Sequence, residues 1–361
     1  MIHDVAIIGA GMAGASLAAA IGARARVVLI EAEDMPGRHA TGRSAAFWSE
    51  TYGGPAVQPL TTASGPTLRA GGYLTPLGSL HIGRAEDSGR VEQLLRDFAD
   101  TGVDLSRVDP AQRVPGLRPE WVHGVWEPSC AYIDVAALHA DYLAAARTAG
   151  ATVMTDAALL SAVRHAGLWH LDTRAGPVEA QVLVNAAGAW ADQVAALAGV
   201  APIGITPYRR TMVQLRTDPP APEGLPHVVD VAGGFYFKPE TGGKLWLTPH
   251  DETPSVPCDI APEEWDVAVA IDRLEKTVDW RVEAVERRWA GLRSFAPDRA
   301  PVYGYDVKVP GFFWCAGQGG FGIQTAPAAS AMAAALLLGE GDMPGGVDAE
   351  RYGVGRFSAK Q

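Results

Sequence analysis

Three glycine-rich strings and one acidic residue carry the most legible chemistry in this chain. The first string, GAGMAG, sets Gly9, Gly11 and Gly14 in a G-x-G-x-x-G spacing with Met12 and Ala13 between them. Such a turn at a helix start presents backbone N–H groups and the positive end of the helix dipole to a pyrophosphate. Glu31, followed by Ala32, lies near the distance at which a carboxylate accepts hydrogen bonds from a ribose diol. The second string is PGRHATGRSAA, residues 36–46. There the hydroxyls of Thr41 and Ser44 and the backbone of Gly42, Ala45 and Ala46 can line a phosphate, with Arg38 and Arg43 to pair with it. The third, GQGGFGIQT, holds Gly317, Gly319, Gly320 and Gly322 ahead of an Ala-rich stretch.

These strings need particular elements to position them. Val5 to Ile8 is a short apolar run of the kind a buried parallel strand makes, and it leads directly into the glycines. An Ala-rich helix follows, then a second apolar run, Val27 to Ile30, ending at Glu31. A lone G-x-G-x-x-G is only a turn in some α/β protein. With a strand before, a helix after and the acid in place, the reading is a bound dinucleotide. The chain then enters the Gly-, Arg- and Ser-rich second string instead of further regular strand–helix units, which favours FAD over NAD. Residues 5–21 are apolar enough to pass for a signal peptide or a membrane helix, but Asp4 stands where a basic segment should be and three glycines interrupt the run.

Farther along, Asp134 is a plausible cap for a helix over 134–149 that buries Leu138, Tyr142 and Ala145. Ala151–Met154 reads as a strand, Leu168–Leu171 and Val178–Ala180 as a hairpin, and Val182–Asn185 as a strand running into AAGAW. Either this ribbon ends beside the cofactor, through Ala187, Gly188 and Trp190, or it is a meander with no ligand role. From residue 205, Arg209, Arg210, Tyr236, Lys238, Trp246 and His250 sit in short alternating segments between Pro and Gly turns. That texture predicts a mixed or antiparallel sheet, with an amphipathic helix over 261–278. The stretch from residue 311 reads as strand, glycine turn and helix. A helix start there, with Phe321, Ile323 and Gln324, would face a flavin ring and favour negative charge on it.

Composition narrows the partners. The 361 residues are 48% hydrophobic and 20% charged, enough apolar material for a large core. A net charge of −11 and no basic run argue against nucleic acid or an anionic membrane as main partner. Cys130, Cys258 and Cys315 lie far apart, fitting a reducing compartment, and neither they nor the scattered histidines have metal-site spacing. The expected location is cytoplasmic, with no metal and no transmembrane segment.

Taken in order, GAGMAGAS, HATGRSAAFWSETYG, LVNAAGAWAD, GFYFKP, AGLRSFAPD and AGQGGFGIQT resemble the glycine oxidase/D-amino-acid oxidase (DAO) family of flavoenzymes. The strings span residue 7 to about 325, and the nearest look is to bacterial D-arginine dehydrogenase-like proteins. The resemblance implies an α/β fold: a discontinuous, Rossmann-like FAD-binding domain of glutathione-reductase type over 1–73, 131–204 and 296–361. A mixed or antiparallel substrate domain would take 74–130 and 205–295. It implies that Arg293 grips a substrate carboxylate as a fork, that Tyr236 adds a phenol hydrogen bond, that Arg210 lies against the substrate and that Tyr52 closes the mouth. Gly319 and Gly320 would set backbone beside flavin and substrate amine.

Two departures shape the expected substrate. Close relatives carry histidine at Phe47 to help position or deprotonate the amine, which phenylalanine does not do. Relatives that favour cationic substrates carry glutamate where Ser79 aligns, and an unpaired buried cation is costly. The expected pocket, near Phe47, Trp48 and Trp246, suits a neutral side chain. The expected chemistry is hydride transfer from Cα of a small, D-configured amino acid to FAD, giving an imine that hydrolyses to keto acid and ammonia. Oxidation of a secondary amine or a modified amino acid in a biosynthetic pathway stays open, as does a non-catalytic flavin-binding partner protein. No cysteine follows the AGLRSF string, so FAD is expected to be non-covalent. The electron acceptor (oxygen, a quinone or a protein) is left undecided by the sequence.

Overall fold

The computed structural model describes residues 2–360. β1 (Ile2–Ile8) is buried over its last four residues, α1 spans Met12–Ile21, and β2 (Val27–Ile30) is buried throughout and pairs parallel with β1. The apolar run that imitates a membrane segment is therefore strand, glycine turn and helix. Small residues let α1 sit hard on the turn: a Cβ at Gly14 would lie 1.9 Å from the Gly9 carbonyl oxygen. Among the described residues no helix is long and apolar enough to cross a membrane.

β1 and β2 form the middle of an eight-stranded sheet. β2 is flanked by Thr152–Met154 and β1 by Gly176–Asn185, all parallel. The ten-residue strand Gly176–Asn185 divides its other edge. Its first half pairs antiparallel with Leu168–Thr173, which in turn pairs with Leu159–His165, while Leu183–Asn185 pair parallel with Phe312–Trp314. The ribbon and the carboxyl-terminal strand thus meet on one element. One face of the sheet is covered by α1 and the helices Val135–Thr148 and Ala326–Leu338. The other buries Ala6, Ile8, Val28, Trp169, Phe312 and Trp314. Asp134 caps its helix as expected, its Oδ1 accepting the Ala137 N–H at 2.9 Å.

A second sheet of ten strands is organised by two long neighbours, Thr206–Asp218 and Arg281–Phe295. Their antiparallel register sets Tyr208 opposite Arg293 and Arg210 opposite Gly291. Alternation along a strand then puts Arg210, Met212, Trp289 and Arg293 on one face and Arg209 on the other. Val213, Leu215, Leu245 and Leu247 bury that second face with Val267, Ala270 and Leu274 of helix Glu264–Glu275. This helix is shorter than the expected 261–278. Pro262 holds the residue before it extended, so helix begins only at Glu264. A small sheet joins Phe47–Trp48, Ala131–Ile133 and Leu74–Pro76. The mixed α/β architecture predicted from the strings is the one observed.

Candidate active site

An elongated cavity of about 460 Å³ runs between the two large sheets. One end is lined by Glu31, Ala32 and Glu33, the middle by Gly9, Gly11, Met12, Ala13 and Thr41, and the far end by Phe47, Tyr52, Arg210, Met212, Tyr236 and Arg293. At the acidic end, Glu31 is held by the N–H groups of Ala10 (2.9 Å) and Glu33 (3.1 Å), which aim the carboxylate. In the middle, the first-turn N–H groups of α1 lack intrahelical partners, and Thr41 Oγ1 takes only that of Met12, at 3.0 Å. An acid, a helix amino terminus and a glycine-floored trough in this order fit the ribose, pyrophosphate and flavin portions of FAD.

The far end holds positive charge at close quarters. Arg210, buried, and Arg293, half-buried, are diagonal neighbours on the sheet face, and Arg210 Nη1 and Arg293 Nε are buried without a hydrogen-bond partner. Their other edges are occupied. Glu252 Oε1 accepts from Arg293 Nη1 at 2.8 Å and from Arg210 Nη2 at 3.2 Å, and Arg210 Nε donates to the Asp251 carbonyl. Burial, and then the Arg293 charge, lower Arg210 from its ordinary range. Tyr236 has its hydroxyl 3.6 Å from Met212 Sδ, and burial pushes its phenol up, so it remains an O–H donor.

His250 was not singled out as a site residue by its sequence. It adopts φ 58°, its Nδ1 lies 2.8 Å from the Gly233 carbonyl, and its ring stands edge-on to Tyr236 at 5.4 Å. Burial, then the charges of Arg210 and Arg293, depress its pKa to about 3. The ring is therefore neutral, with Nδ1 donating to the carbonyl and Nε2 left as an unpartnered acceptor.

Tyr52 is set by a second buried network. Glu127, fully buried, accepts from Ser49 Oγ (2.9 Å), Thr51 Oγ1 (2.6 Å) and the Glu50 N–H (2.7 Å), and His81 Nε2 lies 3.6 Å away. Burial alone would raise this carboxyl, but its contacts with His81, Thr51 and Ser49 carry it below the usual range. Gln324 ties the same segment from the other side, donating to the Tyr52 carbonyl at 3.0 Å. Glu127 and Glu252 carry no motif. Only their partners reveal them.

Most residues singled out from the sequence do reach this cavity. Arg38, Arg43, Ser44, Ala45 and Ala46 line it, as do Ala187, Gly188 and Trp190, and Gly319, Gly320, Gly322, Ile323 and Gln324. The two arginines expected at a phosphate line the cavity and also have protein partners. Arg38 pairs with Glu33 and Asp34, and Arg43 with Asp259 and the carbonyls of Ile260 (3.0 Å) and Ala290 (3.1 Å), pinning a strap that also brings Cys258 to the wall.

Several others lie off the cavity. Gly14, Gly42 and Gly317 shape the turns behind it, and Phe321 packs edge-on to Tyr52 at 5.0 Å. Trp48 is wholly buried against Leu68 and Ile133. Trp246 is on the same sheet face as Met212 and Tyr236 but outside the cavity lining, 5.0 Å from Trp289 and with Lys238 Nζ over its ring at 4.2 Å. Ser79 lies one layer back, 3.1 Å from His227 Nδ1, and the His227 ring stacks on Phe47 at 4.4 Å. Among the described residues no group of three His, Cys, Asp or Glu side chains could hold a metal ion.

Residues 4–336 match the sequence model of a family described as FAD dependent oxidoreductase (DAO). Glycine oxidase of Geobacillus kaustophilus is 25% identical over 357 residues, 93% of each chain. The mouse FAD-dependent oxidoreductase domain-containing protein 1 is 28% identical over 180 residues, 45% of this chain, and those residues cover 36% of that protein. Among solved structures, the L-proline dehydrogenase of P. horikoshii superposes with a TM-score of 0.87 at 22% identity, over 100% of this chain and 99% of that one.

Proposed function

Because the chain belongs to the DAO family of FAD-dependent oxidoreductases, we propose that it oxidises the carbon–nitrogen bond of a small amino acid with a neutral side chain. The observation that carries this reading is the pair of guanidinium groups with buried, unpartnered N–H donors, Arg210 Nη1 and Arg293 Nε, beside the Tyr236 phenol. Two forks and a phenol converging in a dry recess are a carboxylate clamp. Bound FAD supplies the acceptor for the hydride that leaves the α-carbon. The clamp fixes the substrate by its carboxylate, so that the α-carbon is presented in one orientation. Two neighbouring guanidinium charges disfavour an ammonium, which promotes loss of the substrate's amine proton. Gly319 and Gly320 leave room for the amine beside the wall.

The side-chain wall is Phe47, Met212 and Tyr236, all buried. The carboxylates lining the cavity, Glu31 and Glu33, lie at its opposite end, where they do not meet a cationic side chain. This supports neutral substrates over arginine, and the D configuration rests on likeness of motif strings alone. Anaerobic mixing of the yellow holoenzyme with D- and L-amino acids and N-alkyl amino acids tests the reading. Bleaching of the flavin band by neutral amino acids is the expected result. Bleaching only by secondary amines moves the activity to that class, and no bleaching by any carboxylate-bearing amine ends the proposal.

A further inference from the structure

Glu252 places a protein carboxylate between the very groups that would bind substrate. Its Oε1 accepts from Arg293 Nη1 (2.8 Å), Arg210 Nη2 (3.2 Å) and Arg299 Nη2 (2.8 Å), and its Oε2 accepts from Arg299 at 3.0 Å. Arg210 and Arg293 therefore each spend one edge on Glu252 and keep one buried donor free. The residues converge from separate elements: Arg210 and Arg293 from neighbouring strands, Glu252 from the strap after strand Lys244–Thr248, Arg299 from the turn after Phe295. Asp251 is the other carboxylate near this group, held by the N–H and hydroxyl of Thr211 at 2.7 and 3.0 Å. Arg209, on the opposite face of its strand, has Glu263 and Asp266 as partners and also reaches Asp251, at 3.6 Å.

The two guanidinium groups that line the cavity, Arg210 and Arg293, share the one carboxylate of Glu252, so one positive charge is left facing the cavity. Asp251 serves Arg209 at 3.6 Å as well as Arg210 at 4.0 Å, and Arg299 meets Glu252 from the exposed side. We infer that Glu252 is a specificity-determining residue that occupies the position of a second carboxylate and restricts the site to ligands carrying one. This rests on the carboxylate clamp proposed above. A monocarboxylate completes the charge balance. A dicarboxylate brings a second negative charge against the anion already seated between the arginines, at a range where half-buried charges interact strongly. Glu252 touches no substrate in this scheme. It holds both forks in place and sets how much negative charge they accept.

The test uses holoenzyme titrated with propionate and with malonate, three-carbon acids differing by one carboxylate, read from the perturbed flavin absorbance. Wild-type protein binds propionate more tightly than malonate. In Glu252→Gln, which keeps the shape and removes the charge, the malonate-to-propionate affinity ratio rises on the order of tenfold. Arg299→Gln removes a positive charge from the exposed side of the same cluster and moves the ratio the other way, which keeps the test decisive if Glu252→Gln does not fold. A ratio that stays level or falls in Glu252→Gln while propionate still binds overturns the role of Glu252 alone. Wild-type protein that binds neither acid overturns the clamp, and this inference with it.

Discussion

Gly320→Ala should disable substrate binding while leaving the fold and cofactor in place. The backbone at Gly320 lies outside the left-handed region, so alanine adopts it without strain. The space is the difficulty. An added Cβ would lie 2.4 Å from Arg293 Nε, 2.6 Å from Arg293 Nη2 and 2.7 Å from the Tyr52 hydroxyl. Non-bonded heavy atoms settle at about 3.5 Å, so the guanidinium must retreat by about 1 Å. Arg293 is an extended side chain, and its movement absorbs most of the overlap that a rigid core would convert into lost stability. Its retreat, however, misaligns the fork facing the ligand, and a misplacement of about 1 Å can lower kcat/KM by roughly a hundredfold, or about 2.7 kcal/mol. The assay is kcat/KM on the substrate found by flavin bleaching, beside propionate affinity, flavin content and Tm. The expected outcome is a large loss in kcat/KM and propionate binding with normal flavin content. A variant within threefold of wild type in kcat/KM would refute the reasoning, because Arg293 would then tolerate displacement.

Other outcomes follow from neighbouring contacts. Arg43→Ala frees the strap over 255–261 by removing its bonds to Asp259 and Ile260; FAD should leave faster and Cys258 should react faster with a thiol reagent, and unchanged rates of both would show that the strap is held elsewhere. Trichloroacetic acid should release all flavin into the supernatant, since Cys130 and Cys315 are buried and burial pushes the Cys315 thiol up to about 12; flavin retained in the pellet would direct attention to Cys258 on the cavity wall. His250 stays neutral in the fold down to about pH 3, whereas an unfolded histidine gains a proton below about 6.5. Its contribution to stability is therefore present above pH 6.5 and is lost as pH falls, by up to about 1.4 kcal/mol per pH unit. His250→Asn, a residue suited to φ 58°, should flatten the fall of Tm between pH 7 and 5 relative to wild type; parallel Tm profiles would contradict the assigned burial.

The cofactor cradle was legible because its parts are consecutive in the chain. Gly9 to Gly14, Glu31 and Thr41 lie within one strand–helix–strand unit and the turn that follows it, where backbone geometry and helix dipole act locally and spacing carries the chemistry. The substrate end had no such signature. Arg43 reads as a phosphate ligand, and only the fold reveals that Asp259, 216 residues away, also pairs with it. Ser79 and Trp48 are reasonable pocket residues, yet strand alternation and the Phe47–His227 contact put them a layer behind the cavity, while Trp246 shares the pocket face and packs beyond the lining against Trp289. Glu252 and His250 fall in an undistinguished loop and acquire meaning only because a thirteen-residue strand, Thr206–Asp218, pairs with Arg281–Phe295 in a register that sets Tyr208 opposite Arg293. Phosphate recognition by backbone is written along the chain. Charge balance around a carboxylate depends on which strands become neighbours, and that is decided by packing across the whole molecule.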